Sequence, residues 1–411
     1  MKLLRAALAL VLLVPLAGCW DRLEIEERAV VLAIAVDIAE SHEAENESYI
    51  QEDALKENNN TPLPDGHLIR LTAQIAVPGR IPLGPGEGGG GGGASGGQEP
   101  VWVLESVGHT IEDAVEALQQ EVADRLFFGH LRVIVISEDV ARRGTSNIND
   151  YLRRNPEIRR LAWLVVSKEN ASEYLKAAPQ LERVPALYLM ATLDNAVQMG
   201  RYPMEPIGSF WIKLSSKGRE ANLPYLQIED KDNVRLAGLA YFKNDKLAGV
   251  TKTLEIALYM GLIGNGQGGY SSYVRIPGTE ETAMFRVTNR RASTDVHMRN
   301  GRPTIQVKVY LEGNISELSE PDAGKVASLD VIRLIENDLS ERITKQYEDF
   351  IHQLQSEGAD IFGYGEYIRA KAPGYWNRNI RTKERWQEAF KDLDVQVTAT
   401  LQVRRVGQKA K

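Results

Sequence analysis

The stretch LRVIVISEDVARRGTSNINDYLRRNPEIRRLAWLVVS, residues 131–167, holds two apolar, β-branched runs with helical sequence between them. Leu131 to Ser137 and Leu161 to Ser167 read as strands buried on both faces, because neither run alternates with polar residues. Between them, EDVARRG reads as a short helix closed by Gly144. NINDYLRRNP reads as a second helix, stopped before Pro156. Upstream, VWVLES from Val101 is a short strand. Thr110 with Asp113 then opens a helix that places Ile111, Ala114, Leu118, Val122 and Leu126 on one face. Downstream, Asn170 reads as the cap of ASEYLKAA. Strands alternating with helices predict an α/β domain with some parallel pairing.

Working outward, RAVVLAIAVDIAE (28–40) is a continuous apolar run, and HLIRLTAQIAV (67–77) alternates, so the two read as adjacent strands. Residues 41–66 between them are rich in Glu and Asn and read as a mobile loop. Residues 84–100 are dominated by glycine. They lack the Gly-Lys-Ser/Thr ending of a phosphate loop and any G-x-G-x-x-G between a strand and a helix, so they read as an exposed flexible loop.

Beyond Gly200 the pattern changes. Residues 201–218 are punctuated by Pro and Gly, and Arg235 to Val250 reads as a hairpin turning at Asn244-Asp245. A helical stretch follows around Leu254 to Met260. Two alternating strands then meet at Asn300-Gly301, a strong hairpin signal. A long helix, about Ala323 to Ser356, carries Leu329, Ile332, Ile335, Leu339, Ile343, Tyr347, Phe350 and Leu354 at spacings of three and four. Gly358 ends it, and Val395 to Val406 is a final strand. The expected fold is therefore multidomain: an N-terminal α/β domain with a mixed sheet (20–200), a small middle domain (201–285), and a C-terminal α+β domain (286–406) with an antiparallel sheet and one long helix.

The chain has 411 residues, a formal net charge of −7 and one cysteine. That charge offers no basic footprint for nucleic acid. One cysteine allows no intramolecular disulfide and no CxxC metal site. Its position is informative instead. Lys2 and Arg5 precede an apolar run, Ala6 to Leu16, that is too short to cross a hydrocarbon core of about 30 Å as a helix. Residues 1–18 read as a secretory signal peptide. Leu16-Ala17-Gly18-Cys19 looks like a bacterial lipobox, with cleavage before Cys19 and a diacylglycerol on its thiol. Two or more acyl chains anchor stably, where one binds only reversibly. No later stretch approaches 18 consecutive apolar residues.

Catalytic constellations are missing from the sequence. The six histidines, His42, His67, His109, His130, His297 and His352, show no metal-ligand spacing. No G-x-S-x-G is present, and GYSSY (269–273) lies in a Gly-rich loop. The expectation is a protein that is not an enzyme and holds no metal or cofactor. Three stretches admit two readings each. Phe127-Phe128-Gly129-His130 is a ligand pocket or, the preferred reading, aromatic core with a tight turn. DIFGYGEYIRAK (360–371) is a partner-binding corner or, preferred, core closure at the helix end. The cluster of Trp376, Arg378, Arg381, Lys383, Arg385 and Trp386 is a partner- or membrane-facing patch or, by default, a solvated helix face.

Cys19-Trp20-Asp21-Arg22, followed by Glu24 to Glu27 and an apolar strand ending in Asp37, resembles the start of the Ger(x)C family, the lipoprotein C subunits of spore germinant receptors. LFFGHLRVIVISEDVARRG, AGLAYFKNDKLAG, ADIFGYGEYIRAKAPGYW and the closing VTATLQVRRVG are similar to successive blocks of that family. Residues 41–66 are longer than the family's usual turn. The resemblance implies a non-enzymatic subunit tethered through lipidated Cys19 to the outer face of the inner spore membrane. Its implied partners are a germinant receptor A subunit and a permease-like B subunit. Direct nutrient binding is more readily assigned to the B subunit. The alternative reading of the chain is a tethered solute-binding lipoprotein that captures the nutrient itself.

Overall fold

The computed structural model describes residues 28–39, 68–80, 99–177, 182–230, 233–264, 266–276, 280–318 and 329–406. Cys19, the loop 41–66, most of 84–100, and His42 and His67 lie outside them.

The first sheet has nine strands. β1 (Arg28–Ile38), β2 (Ile69–Ala76) and β3 (Val101–Gly108) form one wing, and β4 (Arg125–Phe127) pairs with β1. β5 (Val133–Ser137), β6 (Trp163–Ser167) and β7 (Asn222–Glu229) continue it, followed by β8 (Asn233–Lys243) and β9 (Lys246–Val250). The spatial order is β3-β2-β1-β5-β6-β7-β8-β9. β1, β5, β6 and β7 run parallel, β2 runs antiparallel to β1, and β7, β8 and β9 pair antiparallel. The apolar runs of β1, β5 and β6 follow from helices covering both faces. On one face lie α1 (Ile111–Glu121), α2 (Glu138–Arg143), α3 (Ser146–Arg154) and, past two further helices, Ile207–Ser215. On the other lie α4 (Ala171–Tyr174) and α5 (Pro185–Gln198), so Ile207–Ser215 is α6. In β1, Val31, Ile34 and Val36 join the first core, while Leu32, Ala33 and Ala35 join the second. A register shift between Val31 and Ala33 accounts for the broken alternation.

The second sheet is built on a long hairpin, β12 (Thr282–Arg299) and β13 (Arg302–Leu318), with β10 (Gly266–Gln267) and β11 (Ser271–Arg275) against β12. Its turn is the expected Asn300-Gly301, with φ of 50° and 78°, values that Asn and Gly adopt most readily. α7 (Thr253–Ile263) and α8 (Leu329–Glu357) pack on this sheet, and α9 (Tyr364–Lys371) and α10 (Lys383–Lys391) close it. β14 (Asp394–Val406) pairs with β13 in parallel, so this sheet is mixed where an antiparallel one was expected. The reason is the crossover: α8 carries the chain back along the sheet, and the returning strand starts at the same end as β13. Residues 201–285 have no sheet of their own among the described residues. β7, β8 and β9 extend the first sheet, and α7, β10 and β11 belong to the second.

α8 also covers the edge of β14. The amides of Ala399, Leu401 and Val403 donate to Thr344 Oγ1 (3.0 Å), Ser340 Oγ (3.0 Å) and Glu336 Oε1 (2.8 Å). Acceptors four residues apart on a helix face thus meet amides two apart on a strand, which blocks an edge that could recruit another chain.

Candidate functional site

In an open α/β sheet, ligands bind beyond the carboxyl ends of the parallel strands. Here part of that position is filled from within, while a cavity of about 270 Å³ lined by Ile38, His109 and Arg143 stays open beside it. Asp37, at the end of β1, is buried and accepts the amides of Ala171 (2.7 Å) and Ser172 (2.9 Å). It therefore caps α4, the role expected of Asn170, whose side chain makes no cap bond. Burial pushes the Asp37 carboxyl up, against the two amides, Ser137 and Arg70, which pull it down.

The opposite end of the sheet, where the parallel strands begin, is basic. Arg28 and Arg125 are register partners at the starts of β1 and β4. Arg132 precedes β5, Arg159 and Arg160 precede β6, and Arg80 follows β2, which ends on this side. All but Arg28 are exposed. The Arg28 guanidinium lies 4.5 Å over the Phe127 ring, and Phe127 meets the His130 ring edge-on at 5.9 Å. Burial first, then Arg159 and Arg132, hold His130 below its ordinary value. Acids at this end include Glu99, Asp124 and Glu157, and Glu157 is occupied by the Phe128 amide (2.9 Å) and Arg125 (3.7 Å). Leu161, 72% exposed, stands beside Arg160. A chain that is acidic overall therefore carries a basic rim with an apolar side chain on it. The rim begins nine residues after Cys19. Within it, Phe128 is core, and Gly129 is needed because a Cβ there would lie 2.3 Å from the Phe127 ring.

Between the two sheets runs a polar seam. Lys213 on α6 is buried and bonds Glu205 and, at 2.8 Å, Asn222 Oδ1. Burial pulls Lys213 down to about 8, although Glu205 pushes it back up. Asn222 Oδ1 also accepts the Tyr259 hydroxyl (3.3 Å). Arg219 reaches the Tyr259 hydroxyl (3.3 Å) and the Ile361 carbonyl (3.2 Å). Glu220 takes Lys383 (2.9 Å), Gln387 (2.7 Å) and the Asn244 amide (3.1 Å). Asp360 accepts the amides of Gly363 (2.8 Å) and Gly365 (2.9 Å) and the Trp386 indole (3.1 Å). Burial raises it to about 6, against those donors. Gly218 and Gly365 meet backbone to backbone, where a Cβ on Gly218 would lie 2.5 Å from Gly365.

These contacts place two of the open stretches. DIFGYGEYIRAK closes the core and clamps the second sheet to the first. In the 376–386 cluster, Trp376 and Trp386 are buried with ring centres 5.7 Å apart, Lys383 enters the seam, and Arg378, Arg381 and Arg385 are exposed. The described histidines do not converge: His109 contacts Asp113 and His352 contacts Gln355. Among the described residues no group of three metal-ligating side chains comes together. No described helix is long and apolar enough to cross a membrane. Reading residue by residue misses the rim, although RRNPEIRR (153–160) is a visible signal for part of it.

Comparison with known proteins covers nearly the whole chain. Residues 21–228 match the family profile described as spore germination protein N-terminal domain. Residues 237–407 match the profile described as spore germination B3/GerAC like, C-terminal. The chain is 26% identical to the putative spore germination protein YfkR of Bacillus subtilis (strain 168), over 98% of this chain and 96% of that protein. It is also 26% identical to spore germination protein KC of the same strain, over 99% and 96%. Spore germination protein GerQC of Bacillus cereus is 24% identical over 76% and 84%. The fold is similar to the crystal structure of the GerBC protein, with a TM-score of 0.51 at 17% identity, over 84% of this chain and 96% of that one.

Proposed function

From the premise that this chain belongs to the spore germination protein family matched by those two profiles, the Ger(x)C family, we propose that it is a lipid-tethered, non-enzymatic subunit of a nutrient germinant receptor. It is held at Cys19 on the outer face of the inner spore membrane and assembles there with the A subunit and the permease-like B subunit. The observation that carries this reading is the basic rim. Eight residues lie between Cys19 and Arg28, a span of at most about 30 Å when extended, so the start of β1 stays close to the bilayer. Arginines held there are attracted to anionic lipid by about 1 kcal/mol each, an attraction opposed by the acids of the tether, Asp21, Glu24, Glu26 and Glu27. The non-enzymatic part of the reading is supported by the fate of the buried ionisable groups of the first sheet and the seam. Asp37, Asp360, Glu220 and Lys213 are all consumed in capping a helix or joining the two sheets.

Cys19→Ala tests the proposal. The variant is expected to leave the spore membrane fraction, and spores carrying it to lose their response to one class of nutrient. A released protein that still supports normal germination overturns the tethered-subunit reading. Co-purification of the tagged chain from spores checks the assembly part, which fails if neither membrane subunit accompanies it.

A further inference from the structure

At the β6 corner of the rim two aliphatic side chains stand in solvent. Leu161, just before β6, and Ile212, on the outer stripe of α6, are 72% and 75% exposed. α6 starts directly against the segment that holds Leu161: the amides of Ile207 and Gly208 donate to the carbonyls of Ala162 (2.9 Å) and Arg160 (3.0 Å). Gly208 faces Arg160, because a Cβ there would lie 3.0 Å from the Arg160 carbonyl oxygen. Ile212 follows one turn later on the same helix face, so both side chains project from one pinned corner.

Three arginines surround them. Arg159 and Arg160 precede Leu161, and Arg153, at the end of α3, holds its guanidinium 5.7 Å from the ring centre of Trp211, the neighbour of Ile212. All three are exposed, and no described carboxylate lies within ion-pair distance of them. The acids closest in sequence are engaged elsewhere, Asp150 with Arg154 (2.8 Å) and Glu157 with Arg125 (3.7 Å).

Two observations select the occupant. Protein interfaces are enriched in aromatic side chains at their desolvated centres, and this corner exposes none. Separate aliphatic side chains among arginines instead suit the surface of an anionic bilayer, where hydrocarbon enters the headgroup layer and guanidinium groups meet phosphates. The second observation is position. The corner lies at the same end of the sheet as the start of β1, and two strand spacings, about 10 Å, separate β6 from β1. That is about a Debye length, so the acidic tether that joins at β1 opposes lipid less here than at Arg28 or Arg125.

We propose that this corner is a second, non-covalent membrane contact, in which Leu161 and Ile212 enter the headgroup layer of an anionic bilayer and Arg153, Arg159 and Arg160 pair with lipid phosphates. The proposal rests on the tethered-subunit reading and deepens it, because it sets which way up the tethered domain stands. The amino ends of β1, β5 and β6 face the bilayer, and the cavity beside Ile38 at their carboxyl ends faces away.

Sedimentation with phospholipid vesicles decides it, using the chain from residue 19 onward with Cys19→Ala, which carries neither an acyl group nor the apolar run of residues 6–16. It should bind vesicles of mixed phosphatidylglycerol and phosphatidylcholine, and bind phosphatidylcholine alone at least about tenfold more weakly. Arg159→Gln with Arg160→Gln should weaken binding about thirtyfold, at about fivefold per arginine. Leu161→Asn with Ile212→Asn should weaken it at least about tenfold. Arg378→Gln with Arg385→Gln, an equal loss of exposed charge outside the corner, should leave it unchanged. No binding of the chain with an intact corner to anionic vesicles overturns the proposal, as does an equal loss from the Arg378 and Arg385 pair. Vesicle binding that survives both corner pairs also overturns it, and is the result expected if the corner docks a protein. Because this chain has no acyl group, failure here is separate from failure of the tether, which Cys19→Ala reports in spores.

Discussion

Lys213 in the seam and Arg290 beneath α8 are hidden from water almost equally, at 4% and 6% exposure, yet their surroundings differ in kind. Lys213 meets a carboxylate and an amide oxygen, and its partners are themselves tied into the second sheet through Tyr259 and Arg219. Arg290 meets two carbonyls and keeps a donor unused. A buried charge whose partner is covalently part of the chain has a structural role, even though Glu205 Oε2 and Asn222 Nδ2 find no partner of their own among the described residues. A buried charge lacking one carries an uncompensated desolvation cost. Both cations come from sequence that looks ordinary, so the distinction lives in the packing and not in residue type.

The largest effect should come from breaking the finished pair. Lys213→Met strands Glu205 without its counter-charge, and a broken buried pair typically costs about 3–5 kcal/mol. Urea unfolding of the variant measures this. The double variant Lys213→Met, Glu205→Met should recover most of the loss, because well-packed apolar replacements of a buried pair are often neutral. If the single variant unfolds at the same urea concentration as the parent, the seam is solvated and the contrast with Arg290 collapses.

Asp360 tests the seam from its anionic side. Asp360→Asn keeps one acceptor but turns an NH₂ toward the amide of Gly365 or the indole of Trp386, costing about 2–3 kcal/mol. The sign of its pH dependence follows from burial. The folded carboxyl titrates near 6, against an ordinary value of 3.8, so the folded form keeps its proton longer than the unfolded one. Stability from this group is therefore present at about pH 4 and lost as pH climbs through 6. Thermal midpoints measured across that window should fall in the parent and change less in Asp360→Asn. Parallel curves would mean that Asp360 ionises freely.

Much of this fold could be read from local pattern. The two β-branched runs of 131–167 became β5 and β6, and Asn300-Gly301 and Asn244-Asp245 became the turns expected of them. In the apolar stripe of α8, Ile335, Tyr347, Phe350 and Leu354 are buried and Leu339 and Ile343 partly so, whereas Leu329 is exposed. β7 was missed because Pro224 stands inside it. That proline is tolerated because pairing with β6 starts only at Tyr225. The sites were harder to read for a topological reason. Arg28, Arg125, Arg132 and Arg160 come from four separate strand starts that only parallel pairing gathers. The seam joins residues about 150 positions apart, as Gly218 and Glu366 are. Arg290 was hidden by a register shift between Val287 and Asn289. Phe285 and Val287 set the inward face, and without the shift Arg290 would alternate outward to solvent.

A smaller effect is expected where α8 covers β14. Ser340→Ala or Thr344→Ala removes one acceptor and leaves the amide of Leu401 or Ala399 without its partner, for about 1 kcal/mol each. Hydrogen exchange at those two amides should quicken while amides shared between β12 and β13 keep their protection. Unchanged exchange at both would show that the helix merely lies near the strand and does not satisfy its edge.

The smallest change in stability should come from the residue that looks most exceptional. Arg290→Met withdraws donors from the Gly200 and Gly268 carbonyls, a loss, but it also removes a desolvated cation with no described carboxylate beside it, a gain. Burial already pulls Arg290 below its ordinary value, with Tyr347 and Tyr270 acting the other way, so the protein carries a standing cost at this position. The two contributions oppose each other, and the net change in urea unfolding should be about 1 kcal/mol or less. Set beside Lys213→Met, this asymmetry separates the two cations by experiment. If Arg290→Met costs as much as Lys213→Met, the guanidinium is itself a structural strut between the Gly200 and Gly268 segments.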